Sequence, residues 1–342
     1  KDQVKVSTLN EKVGVIGSGS WGTALALLAA EKNVPVVLWG RNPDAVKELA
    51  MSRVNGDYLP GTVLPENITP TSDLRDLKDC GLLIFAVPSK VVRSVAGQVG
   101  TEPRKKDAIL LSCIKGIENA TGKRVSEILS EVIPGHPVAV LSGPNHAEEI
   151  AEHLPAAAVI GAEQEDTALF LQTFFTLPWF RTYTSTDVIG IEWGAAVKNV
   201  FALASGITTG LGLGDNARAA LITRGLAEMI RLGSAFGGRR ETFQGLSGVG
   251  DLIATCFSEH SRNFRVGKML GKGLSLETIQ NSMHMVAEGV PNTESIHASA
   301  RKVGVRTPLI DMVYAILYGG LQPADAISEL LSRDPRPEED GE

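Results

Sequence analysis

The sequence predicts a doubly wound α/β sheet of the Rossmann type, followed by an all-α C-terminal domain. In the first half of the chain, short apolar runs with the composition of strands alternate with helical patterns. These runs lie at 12–16, 35–39, 82–86, 108–111 and 138–141. Apolar strands separated by helices indicate a parallel sheet that is covered on both faces. A glycine-rich turn directly after the first run supports the same fold.

The remaining elements of the predicted sheet domain follow the same alternation. Helical patterns at 23–31 and 43–51 follow the first two strands. Two later β-like runs, at 157–160 and 180–183, are expected to extend the sheet.

The pattern changes near Asp187, which is suited to cap the long helix that follows it. Beyond it, helix signals continue to about residue 331 with almost no strand alternation. A chain of 342 residues suits two domains. We therefore expect a sheet domain over 1–186 and a helical domain over 187–342, in which 333–342 form a flexible tail.

Bulk composition excludes several classes of protein. Hydrophobic residues make up 43% and charged residues 21% of the chain, which is typical of a globular protein. The net charge of −6, without a Lys/Arg cluster, argues against nucleic-acid and anionic-membrane partners. The most apolar stretch, 189–214, holds Lys198, Asn199 and several glycines, so we expect a buried helix and no membrane span.

The N-terminus and the cysteines indicate the compartment. The first ten residues are polar, and the apolar run at 13–16 is too short for a secretory signal. Three scattered cysteines suit a reducing compartment and lack metal-ligand spacing, so no metal is expected. We expect a cytoplasmic protein. Because residue 1 is not Met, an organellar stroma or matrix is the alternative if a transit peptide has been removed.

The motif Gly17-Ser18-Gly19-Ser20-Trp21-Gly22 lies between the first strand and the first helix. Gly17 would allow the tight turn, Gly19 the approach of a diphosphate, and Gly22 the close packing of helix on strand. The diphosphate would sit on the helix N-terminus. The strand and helix on either side favour a dinucleotide site over a chance glycine-rich turn.

The end of the second strand indicates which dinucleotide is bound. Many NAD sites carry a carboxylate there for the ribose 2′-hydroxyl. This sequence has Trp39-Gly40-Arg41-Asn42, and Arg41 could pair with a 2′-phosphate. The pattern favours NADP(H) over NAD(H); the alternative is that Arg41 only occupies a surface turn.

Lys198 is the candidate acid–base residue. On a helix its i±3 and i±4 neighbours are Gly194, Ala195, Phe201 and Ala202, so no local carboxylate pairs with it. We expect an uncompensated, desolvated ammonium whose pKa is lowered, able to exchange a proton with an alcohol or carbonyl. The alternative is that Lys198 reaches the surface.

Further polar residues follow the predicted strands or begin a helix. Lys115 and the segment Ser142-Gly143-Pro144-Asn145-His146 follow two neighbouring strands, where ligands bind in open α/β sheets. We predict no catalytic role for His146, because Lys198 can serve as acid and base. Ser261-Arg262-Asn263 begins a helix, and is either a phosphate site or an ordinary cap with a solvated arginine.

Taken together, these residues resemble the NAD(P)-dependent glycerol-3-phosphate dehydrogenases of bacteria and organelles. The resemblance covers about 12–331. It is carried by GSGSWGTALA, DYLP, AVPS, CIKGIE, LSGPNHAEE, WGAAVKNVFALASGI, GVGDLIATC, SRNFRVG and VAEGV, beginning at 17, 57, 86, 113, 141, 193, 248, 261 and 286. It also implies a helical domain like that of 6-phosphogluconate dehydrogenase and a homodimer.

The resemblance implies roles for individual residues. The catalytic group would be Lys198, Lys115, Asn199, Asp251 and Thr255. The substrate would contact Lys115, Gly143, Asn145, Lys198, Asp251, Ser261, Arg262 and Asn263, the last three holding its phosphate. The dinucleotide would contact Gly17, Gly19, Ser20, Trp21, Gly22, Arg41, Tyr58, Lys115, Ala147, Arg262, Val286 and Glu288.

The implied reaction interconverts dihydroxyacetone phosphate and sn-glycerol 3-phosphate and supplies glycerophospholipid synthesis. Many relatives carry two basic residues where this chain has Arg41-Asn42, which weakens a strict NADP preference. The alternatives are a related dehydrogenase of a small hydroxy acid, which would not need the 261–263 phosphate site, and a dinucleotide-sensing protein without turnover, which would not need a buried lysine.

Overall fold

The computed structural model describes residues 11–283 and 287–332. An eight-stranded sheet occupies the N-terminal part, in the order β3-β2-β1-β4-β5-β6-β7-β8. The strands are β1 Lys12–Ile16, β2 Val36–Trp39, β3 Ile68–Thr71, β4 Cys80–Phe85, β5 Ile109–Ser112, β6 Val138–Ser142, β7 Ala156–Ala162 and β8 Phe180–Ser185. The six strands β1–β6 are parallel, and β7 runs antiparallel to β6. The predicted α/β sheet and its extension by the last two strands are confirmed.

Helices cover both faces of the sheet, as the apolar strands require. In β1 and β4, Val13 and Ile84 point to one core, whereas Ile16 and Phe85 point to the other. Helices α1, α5 and α6 pack on the first face, and α3 and α4 on the second. The helices of this part are α1 Ser20–Ala30, α2 Pro43–Ser52, α3 Val92–Thr101, α4 Val125–Val132, α5 Ala147–Ala151 and α6 Glu165–Phe175, with 3₁₀ turns at Leu74–Leu77 and Ser89–Val91.

The sequence analysis missed strand β3. Its four residues, Ile-Thr-Pro-Thr, include Pro70 and show no apolar run. Proline is tolerated because β3 is an edge strand, where one row of backbone groups has no neighbour. Pairing with β2 outweighs the weak local signal.

Only helices follow β8 in the described chain. Asp187 caps the first of them, its side chain accepting from the Gly190 N–H at 2.9 Å, as predicted. The helices are α7 Val188–Gly210, α8 Gly214–Ala235, α9 Arg240–Phe243, α10 Asp251–Phe257, α11 Arg262–Gly271, α12 Leu276–Ser282, α13 Gly289–Val303, α14 Pro308–Tyr318 and α15 Pro323–Leu331, with a π-helical turn at Leu246–Gly250. The predicted tail at 333–342 lies outside the described residues.

Helix α7 is the centre of the helical part. Within the described chain it is the one helix long and apolar enough to cross a membrane, and 94% of its most apolar window is buried in the protein. Gly206 and Gly210 on α7 face Gly267 and Gly271 on α11 so closely that any Cβ there would strike the backbone of the other helix. The two helices therefore pack backbone to backbone, which fixes the start of α11 relative to α7.

We predict that Gly206→Ala destabilises the protein strongly. The new Cβ would collide with the Phe264 carbonyl oxygen and the Gly267 backbone, which cannot rotate away as a side chain can. Overpacking of this kind costs about 3 kcal/mol, measurable by denaturant unfolding. Gly97→Ala in α3 is the matched control. Its Cβ meets no described atom within 4 Å, so helix propensity should stabilise it by up to about 1 kcal/mol. Equal unfolding midpoints would contradict the packing argument.

Candidate active site

The candidate site lies where the sheet meets the helical part. The glycine turn follows β1, at the point where the strand order reverses between β1 and β4. Lys115 follows β5, and Gly143 follows β6. The carboxyl ends of parallel strands thus bring these groups to one edge of the sheet, the usual position of ligands in this architecture. Helices α7, α10, α11 and α13 supply the facing residues.

The glycine turn has the geometry that a diphosphate needs. Gly17 has φ +119°, a conformation that favours glycine, and a Cβ on Gly22 would collide with the Gly17 carbonyl oxygen. A Cβ on Gly19 would meet no described atom within 4 Å, so the backbone there is open to approach. The first turn of α1 carries no carboxylate and no side-chain cap. The turn therefore fits a dinucleotide diphosphate on the start of α1.

Other predicted dinucleotide contacts surround this turn. The Ser20 hydroxyl donates to the Tyr58 carbonyl oxygen at 2.7 Å, and the Trp21 indole N–H donates to the Cys113 carbonyl oxygen at 3.1 Å. Arg41 is exposed just after β2, next to Gly40, where an added Cβ would lie 2.5 Å from Ser18 Oγ. Ala147 is buried at the start of α5.

Two further predicted dinucleotide residues lie in the segment before α13. Glu288 accepts hydrogen bonds from the Ser89 N–H at 3.1 Å and from the Ser89 hydroxyl, which joins the helical part to the loop after β4. Burial raises the pKa of Glu288, and these hydrogen bonds oppose the rise. Val286 lies outside the described residues.

Lys198 is buried on α7, with 6% of its surface exposed, but it is not uncompensated as the sequence analysis expected. Its ammonium donates to Asp251 Oδ1 at 2.9 Å and to Thr255 Oγ1 at 2.6 Å. Asp251 is 53 residues away in sequence, on α10. The local i±4 pattern could not show this partner, because only tertiary packing brings α10 onto α7.

The same carboxylate holds a second ammonium group. Lys115 Nζ donates to Asp251 Oδ2 at 2.7 Å and to the Gly143 carbonyl oxygen at 2.9 Å. Asp251 is 2% exposed and therefore bridges the two lysines through its two oxygens in a nearly dry environment. Lys115, from the sheet part, and Lys198, from the helical part, are thereby brought together.

Burial and charge set the protonation of this cluster. Burial lowers the pKa of Lys198 to about 8, with Asp251 opposing the shift and Lys115 adding to it. Burial alone would raise the pKa of Asp251, but Lys115 and Lys198 hold this pKa below its usual value. At neutral pH the carboxylate is charged, and Lys198 is close to the point at which it can give up or take up a proton.

Asparagine side chains connect the lysines to the helices. Asn199 Nδ2 donates to the Lys115 carbonyl oxygen at 3.1 Å, and Asn263 Nδ2 donates to Asn199 Oδ1 at 2.9 Å. Asn263 Oδ1 in turn accepts from the Gly289 N–H at 2.8 Å. The predicted residues Asn199 and Asn263 therefore belong to one buried chain of hydrogen bonds that links α7, α11 and α13.

The segment 261–263 starts α11 as predicted. The Ser261 hydroxyl accepts from the Phe264 N–H at 3.2 Å and caps the helix. Arg262 is half-buried. Burial lowers the pKa of Arg262, while the charges of Glu148 and Glu288 oppose that shift.

The loop after β6 places Asn145 and His146 on the same side of the sheet. Asn145 Nδ2 donates to the Ala157 carbonyl oxygen at 3.0 Å, and its buried Oδ1 has no hydrogen-bond partner in the described chain. His146 lies with Nε2 3.3 Å from the Ala254 carbonyl oxygen, and burial lowers its pKa. Residues 11–283 and 287–332 contain no group of His, Cys, Asp or Glu that could hold a metal ion.

Sequence reasoning missed three polar residues that connect the two parts of the chain. Ser89 contacts Glu288, Asn292 contacts the Lys115 carbonyl oxygen, and Glu192 contacts the start of α4. Glu192 had a visible signal, since it is the one other charge on α7.

Comparisons with known proteins agree along the chain. The family described as NAD-dependent glycerol-3-phosphate dehydrogenase matches with its N-terminus at residues 12–168 and its C-terminus at 187–328. Glycerol-3-phosphate dehydrogenase [NAD(P)+] of Enterococcus faecalis is 44% identical, over 96% of this chain and 98% of that protein. The Moorella thermoacetica protein of the same name is 46% identical, over 95% and 97%. The crystal structure of glycerol-3-phosphate dehydrogenase from Coxiella burnetii matches with a TM-score of 0.91 at 38% identity, over 94% of this chain and 99% of that one.

We predict that Asp251→Asn lowers the pKa of Lys198 further below 8. The variant removes the anion that opposes desolvation, while burial and the Lys115 charge remain. The pKa can be measured by NMR titration of ¹³Cε-labelled lysine. Asp215→Asn, an exposed carboxylate paired with Arg218, is the control and should leave that titration unchanged. A Lys198 signal that titrates near 10.5, the ordinary value, in both variants would contradict the burial argument.

Proposed function

The chain belongs to the NAD-dependent glycerol-3-phosphate dehydrogenase family, and we propose that its two bridged lysines form the acid–base centre of that reaction. The protein is an NAD(P)-dependent oxidoreductase that interconverts sn-glycerol 3-phosphate and dihydroxyacetone phosphate. The observation that carries the proposal is the buried Asp251 carboxylate shared by Lys198 and Lys115.

In the oxidation direction, neutral Lys198 accepts the proton of the C2 hydroxyl as its O–H bond breaks. A bound NAD(P)⁺ supplies the acceptor for the hydride that leaves C2. Lys115 remains beside the reacting oxygen as a positive charge and stabilises the negative charge that develops there. Asp251 holds both amines in place, and Thr255 orients Lys198 through its 2.6 Å contact.

In the reduction direction the same groups act in reverse. The Lys198 ammonium donates its proton to the oxygen of the C2 carbonyl as hydride arrives at the carbon. A pKa of about 8 lets Lys198 serve as acid or base near neutral pH, without a large energetic cost in either direction.

We assign the substrate phosphate to the start of α11. The half-buried Arg262 guanidinium and the helix N-terminus attract an anion. The Ser261 hydroxyl already accepts from the Phe264 N–H, and the Asn263 amide already bonds to Asn199 and Gly289. These bonds fix the backbone at the start of α11. The remaining O–H and N–H hydrogens of Ser261 and Asn263 can donate to the phosphate. Gly143 and Asn145 border the carbon chain of the substrate.

We assign the dinucleotide to the glycine turn. Gly17, Gly19 and Gly22 shape the approach to the diphosphate. Arg41 is exposed just after β2 and can face a 2′-phosphate, which favours NADP(H) over NAD(H). The remaining proposed contacts are Ser20, Trp21, Tyr58, Lys115, Ala147, Arg262, Val286 and Glu288.

Three broader proposals accompany these assignments. The dinucleotide-binding domain spans 1–186 and the catalytic domain 187–342. The helical domain forms a homodimer, supported by its exposed apolar side chains Leu213, Ile253 and Phe257. The protein acts in the cytoplasm, or in a stroma or matrix after removal of a transit peptide, and supplies glycerol 3-phosphate for glycerophospholipid synthesis.

We predict that Lys198→Ala loses turnover by about 10²- to 10⁴-fold while binding NAD(P)H normally, because Lys198 is not among the proposed dinucleotide contacts. Absorbance at 340 nm, followed separately with NADH and NADPH, measures the rate and the cofactor preference together.

In the wild type, the rate of glycerol 3-phosphate oxidation should rise with pH through about 8, since the neutral amine is the base. Dihydroxyacetone phosphate reduction should fall over the same range.

Lys302→Ala, at an exposed position on α13, is the control and should keep wild-type rates. If Lys198→Ala keeps its turnover, Lys198 has no part in proton transfer. A wild-type protein that never oxidises NAD(P)H with this substrate would favour the dinucleotide-sensing alternative.

We predict that Arg262→Ala raises the KM for dihydroxyacetone phosphate by one order of magnitude or more. A charge-assisted phosphate contact contributes about 2 kcal/mol. The KM for unphosphorylated dihydroxyacetone, tested in parallel, should rise much less, because this substrate has no phosphate for Arg262 to hold. Equal effects on the two substrates would refute the phosphate assignment and favour a hydroxy-acid dehydrogenase.

A further inference from the structure

Buried polar side chains of the helical part hold the loop that carries Lys115 at two places, and an exposed pair, Asn119 with Glu294 on α13, adds a further contact at 2.6 Å. The loop leaves β5 after Ser112 and enters α4 at Val125, and an isolated bridge between Ile117 and Arg124 closes it. Lys115 lies close to its beginning. Because the loop belongs to the sheet part, the distance between Lys115 and Lys198 depends on what ties the loop to the helices.

The first tie is at the backbone of Lys115 itself. Its carbonyl oxygen accepts from Asn199 Nδ2 at 3.1 Å and from Asn292 Nδ2 at 2.9 Å. Asn292 is on α13 and is 0% exposed. Two amide donors on one carbonyl, from two different helices, restrict both the rotation and the displacement of the peptide that precedes Gly116.

The second tie is at the far end of the loop. Glu192 on α7 is 4% exposed. Its Oε1 accepts from the Ser126 N–H at 2.8 Å, and its Oε2 accepts from Arg124 Nη1 at 2.8 Å and from the Ser126 hydroxyl at 2.5 Å. A carboxylate from the helical part therefore caps the first turn of α4, where backbone N–H groups favour an anion.

Glu192 and Lys198 share one helix, six residues apart. Glu192 therefore ties the loop to the same helix that carries the Lys198 amine. Asp251 can bridge the two amines only while Lys115 stays at 2.7 Å and Lys198 at 2.9 Å from its two oxygens. A shift of the loop by about 1 Å would take the first of these contacts beyond hydrogen-bond distance.

We propose that Glu192 and Asn292 are positioning residues that tie the Lys115 loop to α7 and α13 and so hold Lys115 where Asp251 bridges both lysines. The proposal rests on the proposed function, since the position of Lys115 matters for the reaction only if this cluster is the acid–base centre. Neither residue touches the reacting atoms.

The test is Glu192→Gln in the full-length protein, with glycerol 3-phosphate and NAD(P)⁺ as substrates. We expect kcat to fall by about 10- to 100-fold, as for a misplacement of about 1 Å in a reacting group. We expect the KM for glycerol 3-phosphate to change by less than about threefold, because Glu192 bonds to Arg124 and Ser126 at the start of α4, whereas the phosphate is assigned to the start of α11.

The pH profile gives a readout that a purely structural role would not move. The charged or titratable groups that face Lys198 are Asp251 and Cys256 on α10, Lys115 on its loop, and His146. If the loop moves away, the repulsion from Lys115 weakens and Asp251 pairs more closely with Lys198. The pKa in the rate profile for oxidation should therefore shift upward relative to the wild type.

Glu127→Gln is the matched control. Glu127 also accepts at the start of α4, from the Arg124 N–H at 2.8 Å, and pairs with Arg124 Nε at 3.3 Å, but unlike Glu192 it lies on α4 itself. Its variant should keep the wild-type kcat and pH profile. Asn292→Leu, with the same side-chain branching, removes the other tie and should shift kcat and the pH profile in the same direction as Glu192→Gln, which keeps the test available if one variant fails to fold.

The outcomes separate the two hypotheses. A wild-type protein that does not turn over glycerol 3-phosphate would overturn the proposed function. An active wild type, together with variants that lose thermal stability but keep kcat and the pH profile, would show that Glu192 and Asn292 have only a structural role and would overturn the inference. Lower kcat with a shifted profile in both variants, but not in Glu127→Gln, would support it.

Discussion

The interaction on which the site depends is the buried ion triad of Lys115, Asp251 and Lys198. Removing a carboxylate from water is costly, and one partner would leave one of its oxygens without a charged donor. Asp251 is 2% exposed and meets an ammonium at each oxygen, at 2.7 and 2.9 Å. The two amines come from different parts of the chain, so the triad exists only when the sheet and the helices are assembled. The stability of the triad and its proton-transfer chemistry therefore both require that the sheet and the helices are assembled.

The helical part meets this requirement through close packing. The glycines of α7 and α11 bring the two backbones into direct contact, which sets the start of α11 relative to Lys198. Asn199 and Asn263 continue that contact as a buried chain of hydrogen bonds toward α13. Such interiors deform little, because any displacement opens voids or creates clashes. The proposed phosphate site and the proposed acid–base centre are consequently held at a fixed separation, as a substrate with a phosphate at one end requires.

Whether the sequence predicts an interaction depends on how far apart its two partners lie in the chain. Local signals were sufficient to predict the apolar strands, the glycine turn, the Asp187 cap and the burial of Lys198, because each of these depends on residues that are neighbours in the sequence. They failed for β3, whose residues become a strand only by pairing with β2. They failed also for the partner of Lys198: the resemblance pointed to Asp251, but no helical spacing could show a contact across 53 residues. Glu192 and Asn292 were missed for the same reason, since their partners lie on distant elements.

The charge balance of the cluster explains why a phosphorylated substrate suits it. Two amines and one carboxylate leave an excess of positive charge while Lys198 is protonated. A dianionic phosphate ester would compensate this excess, whereas a neutral polyol would not. The field that attracts the phosphate also favours the neutral form of Lys198, which is the form that removes a proton from the alcohol. Recognition of the phosphate therefore depends on the same positive charges that favour the neutral base before the substrate binds, and a substrate without the phosphate would forgo this charge compensation.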